Sequence, residues 1–215
     1  MRQIFHEELR DLKGEVLIIG HLVEQSIERA VEALVTNDLA LADEVITGDD
    51  EIDKRALGAE EQCMSVVATQ SPVARDLRLI FSLLFISIHL ERMGDLAQNI
   101  AEMTKRLTKE DSQPELLALI SEMGRQVQGI VHTGLKAFAE KDLELARVLP
   151  RLDEPIDALF KRFLKELAKV SDIEHYFEWA SNMVLASRYL ERIADHAVDI
   201  GERVSYLVTG RLEEN

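Results

Sequence analysis

The sequence is poor in the residues that mark several common protein classes. Cys63 is its single cysteine, so no intrachain disulfide can form, and a reducing compartment fits. Aromatic residues make up 5% and prolines number four. Basic residues are also scarce, 25 against 40 acidic ones, for a net charge of −15. This balance argues against binding to a nucleic-acid backbone, which needs clustered lysine and arginine, and favours cations or basic protein surfaces as partners.

The sequence also lacks a long hydrophobic run. The most apolar stretch, residues 79–88, has about half of the roughly 20 residues that a membrane helix needs. It is more typical of core than of a partner or dimer contact. The first eight residues have neither the apolar segment nor the cleavage site of a signal peptide. We therefore expect a cytoplasmic protein that does not insert into membranes.

Leucine, alanine and glutamate are frequent, and apolar residues recur in steps of three and four, which is typical of bundled helices. Asp38 and Asp142 are predicted N-caps. Pro150 and Pro155 predict a bend or break between Leu149 and Ile156, since proline removes a helical hydrogen bond. Together these signals predict six long helices, at about residues 3–36, 38–70, 73–107, 112–140, 142–170 and 173–208.

Two segments of the chain are near copies of each other. Residues 90–100 and 190–200 share six of eleven positions at an offset of 100, and residues 49–53 match 153–157 at an offset of 104. Such duplication is a signal at the level of the fold. We predict an all-α protein of two tandem three-helix bundles related by a pseudo-twofold, with domains at residues 1–108 and 112–210 and a frayed tail at 211–215.

The repeated segments carry carboxylates four residues apart, which lie on one helix face. If the second and third helices turn near Ser71, Asp49 lies opposite Gly94, and the acidic residues of both helices reach the same height. In the second half, a turn near Ile173 brings the acidic residues of the fifth and sixth helices to the same height in the same way. Oxygen ligands of this kind suit hard cations and can accept iron. The candidate metal ligands are Asp49, Asp53, Glu91, Asp95 and Asn99 in the first half, and Asp153, Asp157, Glu191, Asp195 and Asp199 in the second.

The apolar stripe of the last helix places Glu191, Asp195 and Asp199 at outer positions, which predicts sites that are open at the surface. Glu-x-x-His pairs, as in buried di-iron proteins, are not found. Two other interpretations stay open. The acidic faces can simply be solvated, in a structural helical scaffold, or they can serve a metal-dependent hydrolase, which also needs an open metal position and a general base. His196 is more typical of a helix edge than of a ligand.

Three parts of the chain resemble the signature of the PhoU family. They are residues 190–197 with Ile200, Glu202 and Arg203, the end at residues 206–210, and the partner segment 90–95 with residues 99–102. The acidic segments 49–53 and 153–157 are similar to the family's second-helix motif. Residues 74–78 resemble the start of its third helix. The resemblance covers nearly the whole chain.

The resemblance implies surface metal sites in the acidic motifs, with iron, manganese, magnesium, zinc or calcium left open and one or more ions per site. It implies a non-enzymatic negative regulator of phosphate uptake and starvation signalling, linking the ATPase subunit of the phosphate ABC transporter to a sensor histidine kinase, as a homodimer. The sequence differs from the family pattern in two ways that affect the second acidic site. Asp199 replaces the usual asparagine, and Pro150 and Pro155 lie next to Asp153 and Asp157.

Overall fold

The structure, a computed structural model, describes residues 2–107, 113–170 and 175–211. Six helices occupy these ranges, and no strand is found there. They are α1 (Arg2–Thr36), α2 (Leu39–Gln70), α3 (Ala74–Thr104), α4 (Pro114–Glu140), α5 (Leu143–Leu167) and α6 (Phe177–Thr209). The predicted all-α fold is confirmed, with ends that differ by a few residues. The predicted turn near Ile173 and the tail beyond Arg211 lie outside the described residues.

The first hairpin of each half is built in the same way. The side chain of Asp38 accepts hydrogen bonds from the backbone of Ala40 and Leu41, and Asp142 does the same at the start of α5. Both predicted N-caps are confirmed. The residues just before them, Asn37 and Lys141, both adopt the left-handed conformation, with φ of 55° and 54°. The duplication seen in the sequence therefore extends to the turn geometry.

The two halves pack against each other through four of the six helices. Helix α1 contacts α3 and α4, and α6 also contacts α3 and α4, so these four close a ring. Helix α2 lies against α1 and α3, and α5 lies against α4 and α6. One apolar cluster runs through both halves. The two three-helix repeats are thus joined by a shared core, and the domain boundaries at 108 and 112 stay a prediction.

Two glycines show the pseudo-twofold directly. A Cβ at Gly20 would lie 2.5 Å from Leu135, and one at Gly124 would lie 2.7 Å from Val31. Gly124 follows Gly20 by 104 residues, and Leu135 follows Val31 by the same number. Each half therefore presents a glycine to a branched side chain at the equivalent position of the other half, the reciprocal pattern of a twofold interface. The glycines allow α1 and α4 to approach closely.

Of the bend or break predicted at the prolines, the break is wrong, and the bend stays a prediction. Helix α5 runs without interruption from Leu143 to Leu167 and includes Pro150 and Pro155. Both prolines are exposed, while Leu149 and Ile156, which flank them, are fully buried. Burial of such side chains contributes about 1.5–3 kcal/mol each, which offsets a cost of about 3 kcal/mol for an interior proline. Packing on the core side thus holds the helix together.

The apolar run of α3 is buried on one side. Ile80, Leu83 and Ile86 belong to the core, whereas Phe81 and Ile88 remain 43% and 39% exposed. The expectation that the whole run is core is therefore met only in part. No helix within the described ranges combines the length and the apolar character needed to cross a membrane.

Candidate metal centre

The α2–α3 hairpin brings Asp49 opposite Gly94, as the hairpin geometry predicts. A Cβ added at Gly94 would lie 2.9 Å from Oδ1 of Asp49, so the glycine leaves the space that the carboxylate occupies. Asp49 is only 3% exposed, and its Oδ1 has no hydrogen-bond partner among the described residues. The prediction of a site that is open at the surface does not hold for this residue, because the absence of a side chain at Gly94 allows Asp49 to lie buried between the helices.

Three carboxylates converge at this point. Asp49, Asp53 and Asp95 each offer an oxygen within 4.8 Å of the other two. Asp49 is buried, Asp95 is half-buried and Asp53 is exposed, so the group forms a cleft with a buried floor and an open mouth. Carboxylate oxygens in this number are a ligand set for a hard cation. We call Asp49, Asp53, Glu91 and Asp95 the first acidic cluster.

The electrostatics of this cluster are unfavourable without a counter-charge. Burial raises the pKa of Asp49 from 3.8 to about 7, and the charge of Asp53 acts in the same direction, followed by those of Asp95 and Glu91. Burial also raises the pKa of Asp53, and burial followed by the charge of Asp95 raises the pKa of Glu91. Groups that resist ionisation because they lie beside like charges gain most from a bound cation.

Arg92 neutralises part of this charge. Its guanidinium lies 3.2 Å from Asp95 and 3.4 Å from Glu91, as expected for an arginine beside acidic neighbours. The arginine is 58% exposed, so these pairs contribute little to stability. Asn99, the remaining predicted ligand, donates its amide to the backbone carbonyl of Asp95 at 2.7 Å and is not part of the group of three.

The second half repeats the arrangement more loosely. Asp153 is half-buried, its Oδ1 has no hydrogen-bond partner in the described part of the chain, and burial followed by the charge of Asp157 raises its pKa to about 6. Burial is also the first cause that raises the pKa of Asp195. Glu191 forms an ion pair with Arg188. Among the acidic residues of this half that the structure describes, no three bring oxygens within 4.8 Å of one another.

Two features explain the looser second cluster. Ala194 stands where the first half has Gly94, and a methyl group there takes the space into which Asp49 sinks. Arg188, which pairs with Glu191, stands where the first half has Ile88. The difference is thus caused by Ala194 and Arg188, since the helix through Pro150 and Pro155 is intact.

Asp199 does not join the second cluster. Its Oδ2 lies 3.4 Å from Nδ1 of His89 on α3 and 3.6 Å from Nδ1 of His196. The two Nδ1 atoms are 3.2 Å apart. The contact with His196 lowers the pKa of Asp199, and the charges of both histidines add to this, while burial opposes it. The Asp199 carboxylate, which was expected to add charge to the second acidic site, therefore lies at the α3–α6 interface instead.

His89 is not among the ligands predicted from the sequence, and His196 was expected at a helix edge. The signal that could have found them is the register between the halves. Helices α3 and α6 run antiparallel, since His89 meets His196 while the earlier Phe85 meets the later Arg203, whose guanidinium lies 4.0 Å from the ring centre. Neither half alone contains this information.

A mainly basic region of the surface lies apart from the acidic clusters. A cavity of about 1180 Å³ lies where the first turns of α1 and α3 meet the end of α6. Its lining is mainly basic, in contrast to the acidic clusters in the middle of the helices. The charged residues that line it are His6, Glu7, Arg10, Lys13, Arg75, Asp76, Arg78 and Lys141.

Comparisons with known proteins agree with the duplicated architecture. The PhoU domain model matches the chain twice, at residues 16–104 and 120–204, once in each half. A phosphate-specific transport system accessory protein PhoU homolog from Pseudomonas aeruginosa is 37% identical over 209 residues, which is 97% of this chain and 86% of the relative. A homolog of the same name from Synechocystis is 34% identical over 212 residues, 99% of this chain and 94% of the relative.

Solved structures of this family have the same fold. The crystal structure of PhoU from Pseudomonas aeruginosa superposes with a TM-score of 0.91 at 37% identity, over 96% of this chain and 100% of the other. The phosphate transport system regulatory protein PhoU from Streptococcus pneumoniae superposes with a TM-score of 0.90 at 28% identity, over 98% of this chain and 100% of the other. The acidic clusters lie within the matched segments. This chain therefore belongs to the PhoU family.

Proposed function

We propose that this chain is a regulatory accessory protein of phosphate transport whose acidic clusters bind metal ions. The names of its relatives support the role in transport. The observation that supports metal binding is the first acidic cluster, where a buried carboxylate without a hydrogen-bond partner faces two others. Isolated buried carboxylates are costly, and a divalent cation removes that cost.

The donor set indicates which ions fit. The first cluster offers carboxylate oxygens, which suit Mn²⁺, Mg²⁺, Ca²⁺ and iron better than soft metals. Asp49, Asp53 and Asp95 would hold the ion, and Glu91 would add a further oxygen. In the second half Asp153, Asp157, Asp195 and Glu191 would form a weaker site, and Asn99 and Asp199 are the least supported of the expected ligands. The bound ion would supply positive charge that ties α2 to α3.

The regulatory part of the proposal follows the family. We propose that the protein acts in the cytoplasm as a homodimer, restrains phosphate uptake, and connects the ATPase subunit of the phosphate transporter with a sensor histidine kinase without catalysing a reaction itself. Its acidic surface, at a net charge of −15, suits basic surfaces on these partners.

Metal analysis tests the first part. Protein purified without chelator or an affinity metal should contain ions that are lost in Asp49→Asn/Asp95→Asn, and in part in Glu191→Ala/Asp195→Ala. Equal metal content in all proteins would remove metal binding from the proposal. Phosphatase assays with Mn²⁺ test the hydrolase alternative. Turnover by the wild type that is lost in Asp195→Ala would support that alternative.

Deletion of the gene tests the regulatory part. Starvation genes should be derepressed in ample phosphate, and the wild-type gene should restore repression. A pull-down with the transporter ATPase and sedimentation of the purified protein check the partner and the homodimer. Unchanged repression in the deletion strain would contradict the regulatory role, whatever the metal content.

A further inference from the structure

The cluster formed by His89, His196 and Asp199 differs in kind from the acidic clusters. It joins α3 of the first half to α6 of the second, and it offers two imidazole nitrogens and one carboxylate oxygen within 4.8 Å of one another. Both histidine side chains are 18% exposed, and Asp199 is 43% exposed. The cluster is thus largely buried, with an opening on the side of Asp199.

The distances in the cluster are long for hydrogen bonds. The contacts of Asp199 with His89 and His196 are 3.4 and 3.6 Å, whereas charge-assisted N–H···O bonds are about 2.7–2.9 Å long. The two Nδ1 atoms are 3.2 Å apart, and a proton on one of them can satisfy only one neighbour. Nε2 of His196 has no partner in the described part of the chain, so the contacts at Nδ1 are those that orient the ring.

The same distances fit three ligands of one metal ion. The circle through three points separated by 3.2, 3.4 and 3.6 Å has a radius of about 2.0 Å. Zinc binds histidine nitrogen at about 2.0–2.1 Å and carboxylate oxygen at about 2.0–2.2 Å. An ion near the centre of this triangle would therefore lie at bonding distance from all three atoms without movement of either helix. The opening beside Asp199 would leave room for a water ligand.

The charges around the cluster select the class of metal. Asp199 is the one carboxylate of the set, and Arg203, four residues later, places a positive charge on the same face of α6. Hard cations depend on several carboxylates and gain little here. Neutral imidazole nitrogen suits zinc, copper, nickel and iron instead.

We propose that His89, His196 and Asp199 bind one borderline transition-metal ion, of the class of Zn²⁺, that links the two halves of the chain. The site is separate from the acidic clusters in position and in donor type. It occurs once per chain, because the pseudo-twofold equivalents of the three ligands are Tyr189, Leu96 and Asn99.

Calorimetry with Zn²⁺ on metal-free protein in excess Mg²⁺ tests the site, since Mg²⁺ occupies oxygen sites and leaves nitrogen ligands free. Wild type should bind one equivalent of Zn²⁺ per chain. His196→Leu and His89→Tyr install the residues that the other half carries at the equivalent positions. Changes to supporting residues alone weaken metal sites 10- to 100-fold, so loss of a ligand should weaken binding by at least about 100-fold.

Two controls separate this site from others. Asp49→Asn should leave the Zn²⁺ equivalent intact, and so should His21→Ala/His132→Ala, which removes exposed histidines. A measurement on wild type makes the test independent of how the variants fold. Modification by diethyl pyrocarbonate, mapped by mass spectrometry, should be blocked by Zn²⁺ at His89 and His196 and remain unblocked at His21 and His132.

Three results would overturn the proposal. The first is the absence of Zn²⁺ binding by wild type in excess Mg²⁺. The second is equal binding by folded His196→Leu. The third is loss of the equivalent in Asp49→Asn, which would assign the ion to the first acidic cluster. Protection at His89 and His196 together with loss in the matched variants supports it.

Discussion

Neutralising Asp49 should stabilise the metal-free protein, and the gain should depend on pH. In the folded chain the pKa of Asp49 is raised from 3.8 to about 7. The native state therefore holds a proton between these pH values that the unfolded state has lost. By linkage, the free energy of unfolding falls as the pH rises through this window, and the stability that the protonated group retains at low pH is lost above about pH 7.

The size of the effect follows from the shift. One pKa unit corresponds to 1.36 kcal/mol, so a shift from 3.8 to about 7 has an upper limit of about 4 kcal/mol. Asp53 at the mouth of the cluster is exposed to solvent and salt, which screen part of the repulsion. We expect Asp49→Asn to gain about 1–3 kcal/mol over wild type at pH 8. The new amide can donate to the carboxylates of Asp53 and Asp95, so it need not be buried without a partner.

The assay is urea unfolding followed by far-UV circular dichroism, in EDTA, at pH values from about 4 to about 8. The difference between Asp49→Asn and wild type should grow as the pH rises to about 7 and then level off. Asp50→Asn is the matched control, because Asp50 is adjacent and exposed, and its effect should stay within about 0.5 kcal/mol. Added Mn²⁺ should reverse the order, since it stabilises only the protein that retains the ligand.

Parallel pH profiles of wild type and Asp49→Asn in EDTA would refute this reasoning. They would mean that Asp49 ionises as readily in the folded protein as in the unfolded chain. The buried position of the side chain would then carry no electrostatic cost, and the argument for a cation at the first acidic cluster would lose its physical basis.

Four further outcomes are expected. Gly124→Ala should destabilise the protein by about 1–3 kcal/mol through overpacking against Val31, and Val31→Ala should restore part of the loss in thermal unfolding. The same change at Gly14, where a Cβ meets nothing within 4 Å, should stabilise α1 by about 0.5–1 kcal/mol. Asp142→Ala should cost about 1 kcal/mol in denaturant unfolding by removing the N-cap. Cys63 is buried with a pKa raised to about 11, so a thiol reagent should label it only after denaturation.

The helices and their pairing within each half could be predicted from the sequence. Apolar steps of three and four define the buried faces, and the caps at Asp38 and Asp142 define two starts. Counting from the turn near Ser71 placed Asp49 opposite Gly94 correctly. These features depend on neighbouring residues or on a single hairpin, so they can be predicted from the sequence without knowledge of how the halves pack.

The misplaced features depend on contacts between elements. Pro150 predicts a break when α5 is considered alone, and only its packing explains the intact helix. Asp49 was expected at an open surface, because the absence of a Cβ at Gly94 matters only once two helices are in contact. His89 and His196 are 107 residues apart, and their meeting depends on how α3 crosses α6, which no local pattern encodes.

The contacts of Gly20 with Leu135 and of Gly124 with Val31 make the face between the halves self-complementary. The first half alone would carry both sides of this contact, because Gly20 leaves a space at the surface and Val31 provides a side chain that fills such a space. Two copies of that half could therefore meet face to face and form the contact twice. The native chain therefore contains, within one polypeptide, two halves that pack as the subunits of a symmetric dimer do. Its connector replaces a concentration-dependent association with an intramolecular one, so its assembly is insensitive to how much of the protein is made.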